Sequence, residues 1–498
     1  MKAKKLAALL LTLVLALGLI PMGAMAAQRN VEPNSKASIT VNNAVANDVF
    51  AAYKVIDITY DAGNNTLTKK WNSAFANYFS GKNTTIEQFA ALKDESRAQD
   101  LKNLLADLPK YIEDNKDSIA SPATATAGAD KSATFENLAM GEYFIRPTST
   151  TSVYQLMLQK IEPTVADVGG VQTYVIDDVT FNAKHEPVNV TKAANKTSVT
   201  KNEKVEYTIT VDIPTYLEEA KDKTFYVSDK LPDGLTIDTG SIKVQVGGGD
   251  VAAAAYTLDT PAIAGDYTFK LSVSNEQYTN YWKANAGINP LVITYTATLN
   301  NDNTTAVNEK ETNKVTFDYS NYPYVASHVT KTAKVDVTTF AIKVNKVDAS
   351  NNETKLANAE FDLYRTIYPG ETENVVTIPH ANVQGVKLES GITGADGTLT
   401  FAKYEANGAK YDYYLVETKA PSGYNLLTNA VKVNFADADV TGTNGVYTVD
   451  VENSSGIQLP VTGGTGTIIF TVIGIALMAG AVVLLVFSRK KAKTDGNK

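Results

Sequence analysis

Lys346 and Glu417 stand in the two stretches of this chain whose residue types are best suited to covalent chemistry. Ile342-Lys343-Val344-Asn345-Lys346-Val347-Asp348 sets lysine in an apolar strand-like run, and Tyr414-Leu415-Val416-Glu417-Thr418-Lys419-Ala420-Pro421-Ser422-Gly423-Tyr424 sets a glutamate beside Tyr, Leu and Val. A lysine buried in such surroundings has its charged form destabilised, so a neutral, nucleophilic amine becomes accessible. A buried carboxyl group is pushed toward its protonated form and can then donate a hydrogen bond that polarises a carbonyl. Taken alone, a Lys–Glu pair is usually a surface lysine near an exposed carboxylate, so the surrounding motif carries the argument. Other repertoires are poorly supplied. With no cysteine, thiol catalysis, thiolate metal sites and an internal Cys–Gln thioester are excluded, and a covalent staple must use other groups. His185, His328 and His380 are widely separated, and no Gly-rich phosphate loop is evident, so neither a metal nor a cofactor is expected.

The elements that must position these residues are strands. Val205-Glu206-Tyr207-Thr208-Ile209-Thr210-Val211 alternates with period two and is rich in β-branched and aromatic side chains. Turn clusters such as Asp61-Ala62-Gly63-Asn64-Asn65 and Gly394-Ala395-Asp396-Gly397 separate such runs. The pattern predicts an all-β chain of tandem immunoglobulin-like sandwiches. Helical spacing is evident mainly from Thr85 to Asn115, where Phe89, Leu92, Leu101, Leu104, Leu105 and Leu108 form apolar stripes and Thr85 supplies an N-cap. The expected domains are 31–183, a sandwich with a helical insertion, then 184–337 and 338–456. The Ala- and Thr-rich stretch from Ser121 to Lys131 reads as a loop.

Both ends speak of export. Lys2, Lys4 and Lys5 precede an apolar stretch from Leu6 to Ile20, and Ala24-Met25-Ala26 offers a small-residue cleavage pattern, so 1–26 reads as a signal peptide. Near the other end, Leu459-Pro460-Val461-Thr462-Gly463 is followed by an unbroken apolar run over 467–487 and by Arg489, Lys490 and Lys491. At about 1.5 Å per residue that run reaches roughly 31 Å as a helix, enough to span a bilayer once. The basic tail, 488–498, favours the cytoplasmic side. Eight of the 46 Lys and Arg and one of the 54 acidic residues lie in these terminal segments, leaving 38 against 53 between them, a formal −15. Such a surface repels phosphate backbones, so nucleic acid is not an expected partner.

From the sorting pattern onward the chain resembles the sortase substrates of Gram-positive bacteria. The Tyr414–Tyr424 block looks like the E-box of the collagen-adhesin B-type (CnaB) domain used in Gram-positive pilins. Such domains open on a strand with lysine ahead of aspartate and close on a strand ending in asparagine, here Tyr447-Thr448-Val449-Asp450-Val451-Glu452-Asn453. The resemblance implies an autocatalytic isopeptide bond between Lys346 and Asn453, promoted by Glu417, with Lys343 as the competing lysine. The middle region, through Val190-Thr191-Lys192, Val227-Ser228-Asp229 and Glu311-Thr312-Asn313, resembles the collagen-adhesin A-type (CnaA) pilin domain. That implies a second bond, Lys192 to Asn313, with Asp229 as its acid and Asp233 and Glu206 as rivals. In the first domain Gly141-Glu142-Tyr143-Phe144-Ile145-Arg146-Pro147 resembles the strand before an E-box but has Arg146 and Pro147 where glutamate should be. No bond is expected there, although Lys54 could serve as a lysine.

Lys184, in Asp178-Val179-Thr180-Phe181-Asn182-Ala183-Lys184-His185, falls where pilus backbone subunits carry a Tyr-Pro-Lys pilin motif; Asn182-Ala183 replaces Tyr-Pro. By position it would attack the acyl intermediate formed when a sortase cleaves Thr462 from Gly463, giving a Thr462–Lys184 amide. The resemblance thus implies a structural, non-enzymatic shaft subunit of a wall-anchored surface pilus. Its partners would be sortase, identical subunits and peptidoglycan, with host surface ligands a further class that the residues do not identify. A monomeric wall-anchored adhesin or a basal or ancillary pilin is the alternative reading, and a wall-anchored hydrolase the third.

Overall fold

The computed structural model describes residues 29–168, 170–262, 265–300, 310–368, 370–407, 411–440, 443–456 and 465–494. The expected signal peptide, 1–26, and the expected sorting motif, 459–463, with Thr462 and Gly463, lie outside them. The described residues form two compact units, one within 29–197, 201–300 and 310–337 and the other within 198–200 and 338–494.

The first unit opens with a sheet centred on Val49–Asp61, flanked by Thr66–Trp71 and Gly141–Ser149. Its long central strand is buried for most of its length, in an apolar cluster that also takes in Phe79, Phe89, Leu101 and Leu105 of the helices. The helical insertion is a set of short helices, Ala76–Gly81, Ile86–Ala91, Ala98–Leu105 and Leu108–Asp114. Thr85 caps as expected: its hydroxyl accepts from Gln88 N at 3.2 Å while Gln88 Oε1 accepts from Thr85 N at 2.8 Å, a reciprocal capping box. Asp94 caps a further turn through Ser96 N, which interrupts what periodicity alone reads as a longer helix. The stretch from Ser121 to Lys131 is not all loop: Ala123–Thr126 pairs with Val49–Ala52. Its alanines are small enough to lie flat beside a crowded central strand.

The same unit contains a sandwich of two five-stranded sheets. One is ordered Val190–Ala194, Lys204–Val211, Leu291–Leu299, Leu235–Val246 and Gly249–Asp250. The other is Thr257–Asp259, Phe269–Val273, Phe225–Lys230, Lys310–Ser320 and His328–Thr338. Alternation decides the inner faces, with Val205, Tyr207, Ile209 and Val211 buried on one strand and Val315, Phe317 and Tyr319 on another. The sandwich is tied to the preceding part of the unit by Asn321 Nδ2 donating to Thr150 O at 2.8 Å and by a bond from Tyr319 Oη to Thr151 O.

The second unit is also built from two sheets. Phe340–Asp348 lies between Thr398–Tyr404 and the parallel strand Val446–Asn453, so the first and last strands are neighbours. The other sheet runs Val375–Thr377, Gln384–Ile392, Glu360–Thr366, Tyr413–Lys419 and Val431–Val433. Ile342, Val344, Phe361, Leu363, Tyr413 and Leu415 fill the core.

Thr465–Thr494 forms one helix. Its side chains are described over 471–485, where Val472, Leu477 and Leu484 are exposed. Among the described residues no helix is long and apolar enough to cross a membrane. The run expected to cross, 467–487, lies within the Thr465–Thr494 helix.

Candidate functional site

Period-two alternation should make every second residue of Lys310–Ser320 apolar, yet Asn313 occupies an inward position in line with Val315 and Phe317 and is 0 % exposed. Asp229 breaks the inward row of Phe225 and Val227 in the same way and is also 0 % exposed. Burying a polar group or charge is costly without a partner. The partner comes from the facing sheet: Lys192, opposite Ile209 on the edge strand, is ion-paired with Asp229, and both side chains are fully inaccessible. Lys192 Nζ lies 5.3 Å from the ring centre of Tyr207 and 5.2 Å from that of Tyr295. Burial pushes the Lys192 ammonium down from its ordinary pKa, against the Asp229 carboxylate, and pushes the Asp229 carboxyl up, against Lys192. Each shift favours the neutral forms, an amine and a carboxylic acid.

Two aromatic residues absent from the sequence-level expectation complete this site. Tyr295 Oη accepts from Lys192 Nζ at 2.9 Å and from Asn313 Nδ2 at 2.7 Å, and donates to Asp229 Oδ1 at 2.8 Å. Tyr207 stacks on it with ring centres 5.4 Å apart. Among the described residues Asn313 Oδ1 is buried without a hydrogen-bond partner. The structure thus gathers Lys192, Asp229 and Asn313, but joins lysine to asparagine through the Tyr295 hydroxyl. The rivals fall away, since Glu206 and Asp233 are exposed. Tyr-x-Ile-x-Val at an inward register was the available signal for Tyr207; for Tyr295 only its pairing opposite Tyr207 reveals the role.

In the second unit Lys346, Glu417 and Asn453 are 0, 2 and 1 % exposed. Lys346 Nζ donates to Asn453 Oδ1 at 2.6 Å and to Val451 O at 2.9 Å, and lies 3.9 Å from Glu417 Oε1. Asn453 Nδ2 donates to both Glu417 oxygens at 2.9 and 3.0 Å, and Leu427 N donates to Oε2 at 2.9 Å. Lysine and asparagine come from adjacent parallel strands, where Asp348 faces Asn453, while Glu417 reaches across from the other sheet. Desolvation lowers the Lys346 pKa to about 8, against the opposing pull of Glu417 and Glu452. One detail corrects the chemical expectation. Glu417 faces the amide nitrogen of Asn453 and not its carbonyl, because Lys346 already occupies Oδ1. Lys343, the competing lysine, is only half-buried on the other face. Gly397, at φ +67°, is required here: a Cβ would sit 2.8 Å from the backbone of both Lys346 and Leu356.

Elsewhere the expected residues behave differently. Lys54 is paired with Asp57 at 2.8 Å. Glu142, 2 % exposed, is ion-paired with Lys93 of the helical insertion, a buried pair that the sequence did not suggest. Lys184 is half-buried and lines a cleft of about 360 Å³ with His185, Thr215, Leu217 and Tyr324, its carbonyl accepting from Gln155 N at 3.0 Å. Among the described residues no group of His, Asp and Glu is arranged to hold a metal ion.

Two buried lysine–acid–asparagine constellations are each braced inside a β-sandwich. Residues 340–453 match the SpaA prealbumin-like fold domain, and residues 451–493 match the LPXTG cell wall anchor motif. The chain is 25 % identical over 370 residues to the trypsin-resistant surface T6 protein of Streptococcus pyogenes serotype M6, covering 60 % of this chain and 66 % of that protein. It is 26 % identical over 331 residues to the fimbrial subunit type 1 of Actinomyces viscosus, covering 58 % and 61 %. It thus spans about two thirds or less of these relatives' own lengths. In fold it is similar to the full-length major pilin SpaD of Corynebacterium diphtheriae, with a TM-score of 0.56 and 18 % identity over 86 % of this chain and 99 % of that one. The chain carries a SpaA-type domain and a wall-anchor motif on a tandem β architecture of the kind found in major pilins.

Proposed function

We propose that this chain is the backbone subunit of a covalently polymerised, cell-wall-anchored pilus, with three domains at 31–183, 184–337 and 338–456. The observation that carries the reading is the buried Lys346–Asn453–Glu417 cluster, where the amine stands against the carboxamide with the acid beside the departing nitrogen. Lys346 Nζ attacks Asn453 Cγ, the Cγ–Nδ2 bond breaks, and ammonia leaves; Lys192, Asn313 and Asp229 undergo the same exchange. The middle and last domains each do this once, as maturation without turnover. The apolar segment over 467–487 holds the exported chain in the membrane until sortase cleaves between Thr462 and Gly463. Lys184 of the next subunit then takes the acyl group, and the last subunit is passed to peptidoglycan.

The internal bonds join strands that would otherwise separate under load. Lys346 and Asn453 are 107 residues apart, and closing a loop of that length constrains the unfolded chain by about 5 kcal/mol. Tension entering at the first strand leaves through the last without crossing the sandwich core. The test is the intact mass of the full chain made without sortase: loss of two ammonia molecules supports the reading, and an uncorrected mass removes it. A monomeric adhesin would show the same internal losses but form no ladders resistant to boiling in detergent.

A further inference from the structure

Forming an amide from an amine and a carboxamide requires one proton to change nitrogen. Once Lys192 Nζ has bonded to Asn313 Cγ, that nitrogen carries a proton it must lose, and Nδ2 must gain one to depart as ammonia. In the second unit Glu417 contacts the departing nitrogen directly. In the middle sandwich Asp229 is hydrogen-bonded to Lys192 and to Tyr295, while Asn313 Nδ2 is bonded to Tyr295. The phenol is the group that touches both nitrogens, at 2.9 Å and 2.7 Å.

We propose that Tyr295 is a catalytic residue of the Lys192–Asn313 cross-linking step, its hydroxyl carrying the proton from the attacking nitrogen to the departing one. The hydroxyl turns about its C–O bond from Asp229 Oδ1 toward Nδ2, gives its own proton to that nitrogen, and takes one from Nζ. The Nζ–Cγ bond forms, the Cγ–Nδ2 bond breaks, and Tyr295 ends as it began, while Asp229 gives the proton it took from Lys192 to the departing ammonia, which leaves as ammonium. Asp229 accepts the ammonium proton of Lys192 beforehand, which frees the nucleophile. Burial and the nearby Asp229 hold the Tyr295 phenol well above its ordinary pKa, so it serves as a neutral relay that needs no phenolate. Its position is rigid, because Tyr207 stacks on one side and Phe269 meets it edge-on with ring centres 5.2 Å apart.

This rests on the proposed Lys192–Asn313 bond, and one experiment separates the two. The full chain is synthesised in a cell-free system, and the cross-linked Lys192–Asn313 and Lys346–Asn453 peptide pairs are followed over time by mass spectrometry. Absence of the first pair from the wild-type chain overturns both the bond and the relay. If it forms, Tyr295→Phe should slow it by roughly 10²-fold or more, the usual worth of a general acid–base group, and leave the Lys346–Asn453 pair at its normal rate. An unchanged rate in Tyr295→Phe overturns the relay alone. Should that variant fail to fold, fluorotyrosines placed at 295 keep ring and hydroxyl while making the phenol more acidic. A rate that tracks phenol acidity supports the relay, and one indifferent to it overturns it.

Discussion

Lys346 Nζ and Asn453 Oδ1 stand 2.6 Å apart although 107 residues separate them in the chain. The contact exists because the first and last strands of the second unit are parallel neighbours in register, Lys346 beside Val451 and Asp348 beside Asn453. Glu417 enters from the opposing sheet and closes the triangle at the amide nitrogen.

Replacing Glu417 by Ala should therefore prevent the Lys346–Asn453 bond and leave the Lys192–Asn313 bond intact. The full chain should gain the mass of one ammonia relative to wild type. Its second unit should also unfold more easily, by about 5 kcal/mol for the lost loop constraint. Intact mass and thermal unfolding measure the two effects. A mass identical to wild type would remove Glu417 from the mechanism.

The rate of that bond should depend on pH in a definite direction. Lys346 titrates at about 8 in the folded, unreacted chain, below the ordinary lysine value of 10.5, with burial as the principal cause. The neutral amine becomes abundant as pH passes about 8, so bond formation in freshly folded chain should accelerate from pH 7 to about 8 and level off above it. Linkage gives the companion sign. Between about 8 and 10.5 the unfolded chain holds more protons than the folded one, so the unreacted form gains stability as pH rises through that window. Time courses of the cross-linked peptide at several pH values test the first part, and a flat profile would contradict it.

Lys184→Arg keeps the positive charge at the mouth of the cleft but removes a usable nucleophile. Cells carrying the variant should lose high-molecular-weight ladders on denaturing gels, while the monomer keeps both internal bonds by mass. Ladders that persist unchanged would move the acceptor elsewhere.

Thr85→Ala removes one half of the capping box on Ile86–Ala91 and should destabilise that helix by about 1 kcal/mol. Hydrogen exchange should report a roughly five-fold loss of amide protection there, with strand Val49–Asp61 unaffected.

The sequence by itself determined the β class, the helical insertion with its Thr85 cap, and the wall-anchor pattern near the C-terminus. These are local properties: a run of apolar residues, a period, or a side chain bonding to its own helix turn can be read without knowing what lies opposite. Lys192, Asp229, Asn313, Lys346, Glu417 and Asn453 were legible through the resemblance of the motifs around them to CnaA and CnaB pilin domains. Tertiary structure alone decided how they meet. Tyr295 acquires its role only when two sheets close over it, placing its hydroxyl between residues 103 and 18 positions away. In the second unit the meeting of its own two sheets turned Glu417 toward the amide nitrogen, and in the first sheet of the chain the helical insertion gave Glu142 a partner in Lys93. Burial across a sandwich depends on register and on the facing sheet, and neither is written into the period of a single strand.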